Sequence, residues 1–165
     1  MPYLAAVALA AVLAVNAIIL AVTSGPLPGR VASHFNGQGF ATGFMTHENY
    51  VLLMAALGVG LPLLLVVLLV LLPRSMPTRL RIPSRDYWIA PERRQETLAT
   101  ITTSGLVVAC FLAAFMTAVH LLVVQANSRT PPQIDTNMLY ALIAVLIIAL
   151  LAWQLVLRRR FQVPR

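Results

Sequence analysis

The sequence predicts an all-α membrane protein with four transmembrane helices and a short outward-facing β-hairpin-like loop between helices 1 and 2. Three observations predict this class: the composition, the length of the apolar segments, and a turn-forming stretch in the first connection. Of the 165 residues, 59% are hydrophobic and only 10% are charged, whereas a soluble domain carries about 25% charged residues. Lipid is therefore the expected solvent for most of the chain.

Four apolar stretches are long enough to cross a bilayer, which takes about 20 residues in a helix. They cover roughly 3–23, 50–72, 98–125 and 138–157. We therefore expect 1–165 to form a single four-span domain, with an outer loop at 24–49 and a cytoplasmic loop at 73–97. The loop at 73–97 is too short for an independent core.

The distribution of arginine predicts the orientation. All twelve basic residues are Arg; six lie in the 73–97 loop and four in the C-terminal tail, against one in each remaining connection. Arginine collects in cytoplasmic loops, so we expect both termini in the cytoplasm and the 24–49 loop outside. The same effect accounts for the net charge of +7 without a nucleic-acid partner.

Small residues predict how the helices pack. The third span carries a stripe of them, and at 100° per residue His120 falls within it, facing a neighbouring helix. A second stripe in the first span is the expected partner face, and Asn16 should also face protein. The nearly uniform fourth span is expected at the periphery. The stripe of the third span is Gly105, Ala109, Ala113 and Thr117, and that of the first is Ala6, Ala10 and Ala14.

Helix-start and helix-bending signals flank the second and third spans. Thr46 is a preferred N-cap for the second helix, and Glu48 would lie in its first turn. Pro62 predicts a bend near the middle of that helix. Pro91 suits the first position of the third helix, which we expect to run to about Gln125.

The first loop contains the stretch HFNGQGFATGFMTHE at 34–48. Asn36-Gly37 is a strong signal for a two-residue hairpin turn, and Gly37, Gly39 and Gly43 permit positive φ. We expect a compact hairpin whose apolar side chains cap the bundle or rest on the outer membrane surface. Those side chains are Val31, Phe35, Phe40 and Phe44.

The three histidines, His34, His47 and His120, fall on the outward side in this topology. Together with Glu48 they form a candidate zinc or copper site, and the alternative function is a metal-dependent membrane enzyme. Their spacing matches no metal motif, so the favoured interpretation has no catalytic residues and no cofactor. A small transporter is a third possibility, disfavoured by the few intramembrane charges.

The cytoplasmic loop carries a second group of candidate residues. Tyr87 and Trp88 suit a membrane interface, and the arginines are candidates to hold anionic lipid headgroups or simply to set topology. The whole group is Arg85, Tyr87, Trp88, Pro91, Glu92, Arg93 and Arg94.

Two motifs carry a resemblance that covers most of the chain. LPGRVASHFNGQGFATGF, at 27–44, resembles the signature of a bacterial membrane domain of unknown function that also forms the N-terminal part of SdpI-type immunity proteins. IPSRDYWIAPERRQET, at 82–97, is similar to a signature of a stand-alone four-helix branch of that family. The chain departs from the first signature at Thr42, where the family usually has Asp.

The resemblance implies a bacterial inner-membrane protein without established enzyme activity. We therefore expect a binding or accessory role: envelope-peptide sensing, an immunity-like function, or a small subunit of a membrane complex. The expected partners are the lipid bilayer and other membrane subunits or a peptide. The candidate binding residues are His34, Phe35, Asn36, Gly39, Gly43, His47, Glu48 and His120.

Overall fold

A computed structural model of the chain describes residues 2–76, 80 and 82–162. Four long helices account for most of it, and each is long and apolar enough to cross a membrane. A two-stranded antiparallel hairpin follows the first helix, and a single short turn of helix precedes the third long one. The elements are α1 (Pro2–Ser24), β1 (Arg30–Phe35), β2 (Ala41–Thr46), α2 (His47–Ser75), α3 (Arg85–Trp88), α4 (Pro91–Asn127) and α5 (Thr136–Arg160).

The long helix α4 is the centre of the bundle, with α1 and α2 packed closely against it and α5 packed more loosely. One end of the bundle, the hairpin end, holds the hairpin and the 128–135 connection. The other, the arginine end, holds the described residues of 74–90, the first turn of α4 and the last turn of α5. Of the described arginines, two lie at the hairpin end and seven at the arginine end, namely Arg74, Arg85, Arg93, Arg94, Arg158, Arg159 and Arg160. Arg79, Arg81 and Arg165, which also entered the orientation prediction, lie outside the described residues.

The predicted helix-start signals are confirmed. Thr46 caps α2 by accepting a hydrogen bond from the backbone N–H of Asn49, and Glu48 lies in the first turn. Pro91 is the first residue of α4, which runs to Asn127. No residue of α5 within the described range is buried, as expected of a peripheral helix.

Two widened π-turns interrupt α2, each just before a proline. They span Ala56–Gly60 and Val67–Leu71, and the next residue in each case bonds five residues back rather than four. Pro62 and Pro73 lack the N–H that the carbonyls of Gly58 and Leu69 would otherwise receive. The freed carbonyl of Gly58 accepts a hydrogen bond from Asn16 Nδ2 at 3.3 Å instead.

The π-turns also keep one face of α2 on the bundle. Tyr50, Met54, Gly58 and Pro62 are all buried, and three steps of four residues would turn a regular helix about 120° away from its starting face. A π-turn contains one extra residue. This residue offsets about 100° of the rotation and returns the face to the bundle. The prolines are therefore accommodated by rewinding the helix.

The predicted packing face of α1 is wrong. Ala6, Ala10 and Ala14 are exposed, and the buried positions are Leu9, Asn16, Leu20 and Ser24. Asn16 explains the choice, because its amide also donates to the carbonyl of Ala113 at 3.2 Å and such a group is costly in lipid. On α4 the prediction holds, since Gly105, Ala109, Ala113 and His120 are buried.

The predicted two-residue turn is also wrong in detail. The hairpin has a three-residue loop, Gly37 to Gly39, in which the N–H of Gly39 donates to the carbonyl of Asn36. Gly39 is the residue with positive φ, at 87°, whereas Gly37 and Gly43 do not need it. The side chain of Asn36 explains the longer loop, because its Oδ1 accepts from the N–H groups of both Gln38 and Phe40 at 3.0 Å.

Candidate functional site at the hairpin end

The side chain of Asn127, the last residue of α4, fastens the hairpin to the bundle. Its Oδ1 accepts from the N–H of Ala32 at 2.8 Å, and its Nδ2 donates to the carbonyl of Ala32 at 3.0 Å. The amide group thus pairs with β1 as a residue of a third strand would. Val31 and Ala32 are fully buried at this junction.

The loop of the hairpin is fastened at a second place. The N–H of Ile134 donates to the carbonyl of Gly39 at 2.9 Å, and the N–H of Ala41 donates to the carbonyl of Pro132 at 3.3 Å. A Cβ on Gly39 would collide with the carbonyl oxygen of Ile134. The hairpin is therefore held at both ends, although an isolated two-stranded hairpin is only marginally stable in water.

Below the hairpin, His120 joins three helices through a buried hydrogen-bond chain. Its Nε2 lies 2.7 Å from Thr23 Oγ1 of α1, and its Nδ1 lies 2.8 Å from the hydroxyl of Tyr50 on α2. His120 and Tyr50 are each 2% exposed, and their rings stack with centroids 5.8 Å apart. The predicted orientation of His120 toward neighbouring helices is confirmed.

The tautomer of His120 follows from the hydroxyl of Thr23. That hydroxyl donates its single proton to the carbonyl of Ile19 at 2.7 Å, so toward His120 it can only accept. Nε2 therefore carries the imidazole proton, and Nδ1 accepts from the O–H of Tyr50. Both ring nitrogens of His120 are thus engaged in internal hydrogen bonds.

The other histidines have hydrogen-bond partners different from those of His120. His47 Nε2 lies 3.0 Å from the carbonyl oxygen of Ser24, at the end of α1. His34 is exposed, lies 3.0 Å from Ser33 Oγ, and packs its Cβ against Gly43. Glu48 is exposed. Among the described residues, no three His, Cys, Asp or Glu side chains come together as metal ligands.

What remains available at this end is the outer surface of the hairpin. Phe40 is 44% exposed and Phe44 is 47% exposed, and His34 and Thr42 are exposed beside them. Phe35 is half-buried and packs against the core cluster that contains Val31. The candidate residues named from the sequence therefore fall into two groups: those that form the structure of the hairpin and those that are exposed on its outer surface.

The second group of candidates forms a cluster at the arginine end. The indole N–H of Trp88 donates to the carbonyl of Phe161 at 3.2 Å, and the two rings meet edge to face. Thr97 Oγ1 donates to the carbonyl of Trp88 at 2.8 Å. The guanidinium of Arg93 lies 4.1 Å from the ring centroid of Tyr87. This cluster ties α3 to the start of α4 and the end of α5.

The remaining charged candidates of this group lie at its surface. Arg85 pairs with the adjacent Asp86 at 2.9 Å, and Glu92 and Arg94 are exposed. Glu96 forms an ion pair with Arg160, the last residue of α5. Exposed pairs of this kind contribute little to stability, so the aromatic contacts hold the cluster together.

Sequence reasoning missed Thr23, Tyr50 and Asn127, the residues that give the hairpin end its geometry. Each is a common residue near a helix end, and such positions often hold polar side chains facing solvent. Tyr50 carried one signal, since it is one helical turn from His47, which was itself a candidate residue. Nothing in the sequence alone pairs Asn127 with Ala32, because 95 residues separate them.

Comparisons with protein-family models, curated proteins and solved structures find no match to this chain.

Proposed function

We propose that this chain is a non-catalytic protein of the bacterial inner membrane that binds a peptide or a membrane-protein partner at its hairpin end. The observation that carries the proposal is the double fastening of the hairpin, by Asn127 at one strand and by Pro132 and Ile134 at the loop. A fastened hairpin presents its exposed aromatic rings in one fixed arrangement. Preorganisation of this kind lowers the entropy cost of binding.

The use of the histidines supports a binding role over metal chemistry. His120 is engaged with Thr23 and Tyr50, and His47 lies within hydrogen-bond distance of Ser24. Because these imidazole groups form internal hydrogen bonds, they stabilise the part of the bundle that carries the hairpin. The exposed aromatic residues, Phe40 and Phe44, are of the kind enriched at protein interfaces.

The proposed orientation places the hairpin end outside the cell and the arginine end in the cytoplasm. The arginines support it, with seven of those described at one end and two at the other, as the positive-inside effect predicts. A ligand would then be met on the outer side of the membrane. An envelope-active peptide or the outer part of another membrane subunit fits that location.

Affinity purification from native membranes tests the proposal. We expect a partner to copurify with the wild-type chain and to fall at least fivefold in the Phe40→Ala/Phe44→Ala variant, because the displayed rings are removed. Tyr3→Ala is the matched control, since Tyr3 is 77% exposed at the opposite end of α1. Recovery of the wild-type chain alone, or undiminished recovery with the double variant, would contradict the proposal.

The immunity-like form of the proposal predicts a second result. If the ligand is an envelope-active peptide, removal of the chain should make cells more sensitive to that peptide, and the Phe40→Ala/Phe44→Ala variant should fail to restore survival. Restoration by the double variant would exclude the hairpin rings from that role. Unchanged survival across a panel of such peptides would leave only the subunit role.

A further inference from the structure

The contact between α4 and α5 is interrupted by cavities along its length. Three of them are lined only by these two helices, with volumes of about 420, 210 and 360 Å³ from the arginine end to the hairpin end. In protein interiors, neighbouring helices normally pack without leaving voids larger than a water molecule between them. The groove between α4 and α5 therefore has room for an apolar occupant.

The largest of these three cavities, at the arginine end, is walled mainly by apolar atoms. Its hydroxyl groups belong to Thr100, Thr103 and Ser104. Each of them donates to the backbone carbonyl four residues earlier in α4, at 2.9–3.0 Å. Their protons are committed, so these hydroxyls add no free donors to the cavity.

The indole N–H of Trp153 is a polar group that the described helices leave without a hydrogen-bond partner. Its side chain lines this cavity and the adjoining one beside Pro73 and Phe161. The indole N–H is buried and has no acceptor among the described residues. An unpaired buried donor is costly, and most such groups in proteins find a partner. Because the nitrogen atom itself is enclosed, an occupant of the cavity meets the indole ring rather than its N–H.

Positive charge dominates the mouth of the cavity. Arg160 lines it and pairs with Glu96, and Arg159 precedes Arg160 on the same turn of α5. At this end of α4 and α5, five arginines stand against two glutamates, the full set being Glu92, Arg93, Arg94, Glu96, Arg158, Arg159 and Arg160. The excess favours an anionic ligand at the level of the lipid headgroups.

We propose that this cavity is a binding site for one anionic glycerophospholipid. The phosphate lies at Arg159 and Arg160, and an acyl chain fills the cavity beside the indole ring of Trp153. Trp153 is seven residues from Arg160, about 10 Å deeper along the helix, so its ring lies at the depth of an acyl chain below the phosphate. The inference rests on the proposed membrane location and is independent of any ligand at the hairpin end.

Fluorescence quenching by brominated lipid tests the site. The chain has two tryptophans, so the Trp88→Phe variant leaves Trp153 as the reporter. In phosphatidylcholine nanodiscs we expect brominated phosphatidylglycerol to reach half-maximal quenching at a mole fraction at least threefold below that of brominated phosphatidylcholine. The Arg159→Gln/Arg160→Gln change should remove this difference, and Arg30→Gln/Arg129→Gln, at the hairpin end, should preserve it.

Two results would overturn the site. Equal quenching by both lipids would mean ordinary annular contact, and no quenching by either would mean that protein covers the groove, either a second copy or a partner helix. Native mass spectrometry of the otherwise unaltered chain gives a check that does not depend on Trp88→Phe. Retention of phosphatidylglycerol over phosphatidylcholine should fall at least threefold with Arg159→Gln/Arg160→Gln and stay unchanged with Arg30→Gln/Arg129→Gln, and no fall with the first variant would contradict the site.

Discussion

Single amide side chains replace backbone partners at two places in this chain. Asn16 supplies a donor to the carbonyl of Gly58, which Pro62 has left without its helical partner. Asn127 supplies both a donor and an acceptor to Ala32, where a neighbouring strand would otherwise pair. Each amide meets groups far away along the chain, so each converts a local backbone defect into a tertiary contact.

Replacing Asn127 should loosen the hairpin without disrupting α4. In Asn127→Leu two hydrogen bonds to Ala32 are lost, and we expect amide exchange in 30–46 to accelerate about tenfold or more, since lost bonds of this kind cost about 1–3 kcal/mol. Hydrogen exchange followed by mass spectrometry measures it. Gln125→Leu is the control, because Gln125 is exposed on the same turn, and equal acceleration in both variants would contradict the role of Asn127.

Removing the hydroxyl of Tyr50 should destabilise the bundle modestly. In Tyr50→Phe the Nδ1 of His120 loses its donor, and we expect the free energy of unfolding in detergent to fall by about 1 kcal/mol, typical of interhelical hydrogen bonds in membranes. Tyr140→Phe is the control, since Tyr140 is 58% exposed on α5. A loss no larger than the control's would show that the hydrogen-bond chain contributes nothing to stability.

At the scale of elements, α2 differs most from a regular helix. Its two π-turns let a helix with two internal prolines keep one face on the bundle, through one contact with α1 and one with α4. Near the first, Asn16 reaches the freed carbonyl of Gly58. Near the second, Gly105 of α4 lies so close that a Cβ there would approach Val70 Cγ2 to 2.8 Å.

The glycines of the first π-turn should respond oppositely to the same substitution. A Cβ on Gly58 would lie 2.8 Å from both terminal atoms of Asn16, whereas one on Gly60 would meet nothing within 4 Å. We expect Gly58→Ala to lower the free energy of unfolding by about 1–3 kcal/mol, because the Asn16 amide is displaced. Gly60→Ala should be neutral or stabilising by up to about 1 kcal/mol, and similar losses in both would contradict this account.

Local signals were sufficient to predict where the helices begin and end, and insufficient to predict which faces meet. Thr46 and Pro91 act within their own turn of helix, so their roles follow from the sequence. The packing face of α1 depends on Asn16 finding the carbonyls of Gly58 and Ala113, at sequence separations of 42 and 97. The prediction of the hairpin loop failed for a similar reason, because the side chain of Asn36 favours a longer loop than the Asn-Gly pair alone predicts.

At the scale of the whole molecule, the two ends of the bundle have different character. The hairpin end is built from long-range hydrogen bonds around a buried core that contains Tyr50 and Val31. The arginine end is built from aromatic contacts around Trp88 and carries most of the charge. The sequence alone did not show which candidate residues face inward. Glu48 and His47 were both candidates at the hairpin end, but only His47 packs inward.

Cysteine labelling in whole cells should reveal the proposed orientation. In a Cys110→Ala background, we expect Gln38→Cys to react with a membrane-impermeant maleimide in intact cells, because Gln38 is exposed in the hairpin loop. Asp86→Cys, exposed at the arginine end, should react at least tenfold more after the membrane is permeabilised. The reverse pattern would invert the topology, and equal labelling of both in intact cells would exclude a sealed four-span arrangement.

The pairing of Asn127 with Ala32 also sets an order of events during synthesis. The strands emerge from the ribosome long before Asn127 and Ile134, which fasten them. Until α4 and the 128–135 connection have joined α1 and α2, the hairpin lacks both fastenings. Under the proposed function, the exposed surface of the hairpin should therefore bind a ligand only after α4 and this connection are in place, and a nascent chain without them should not bind it.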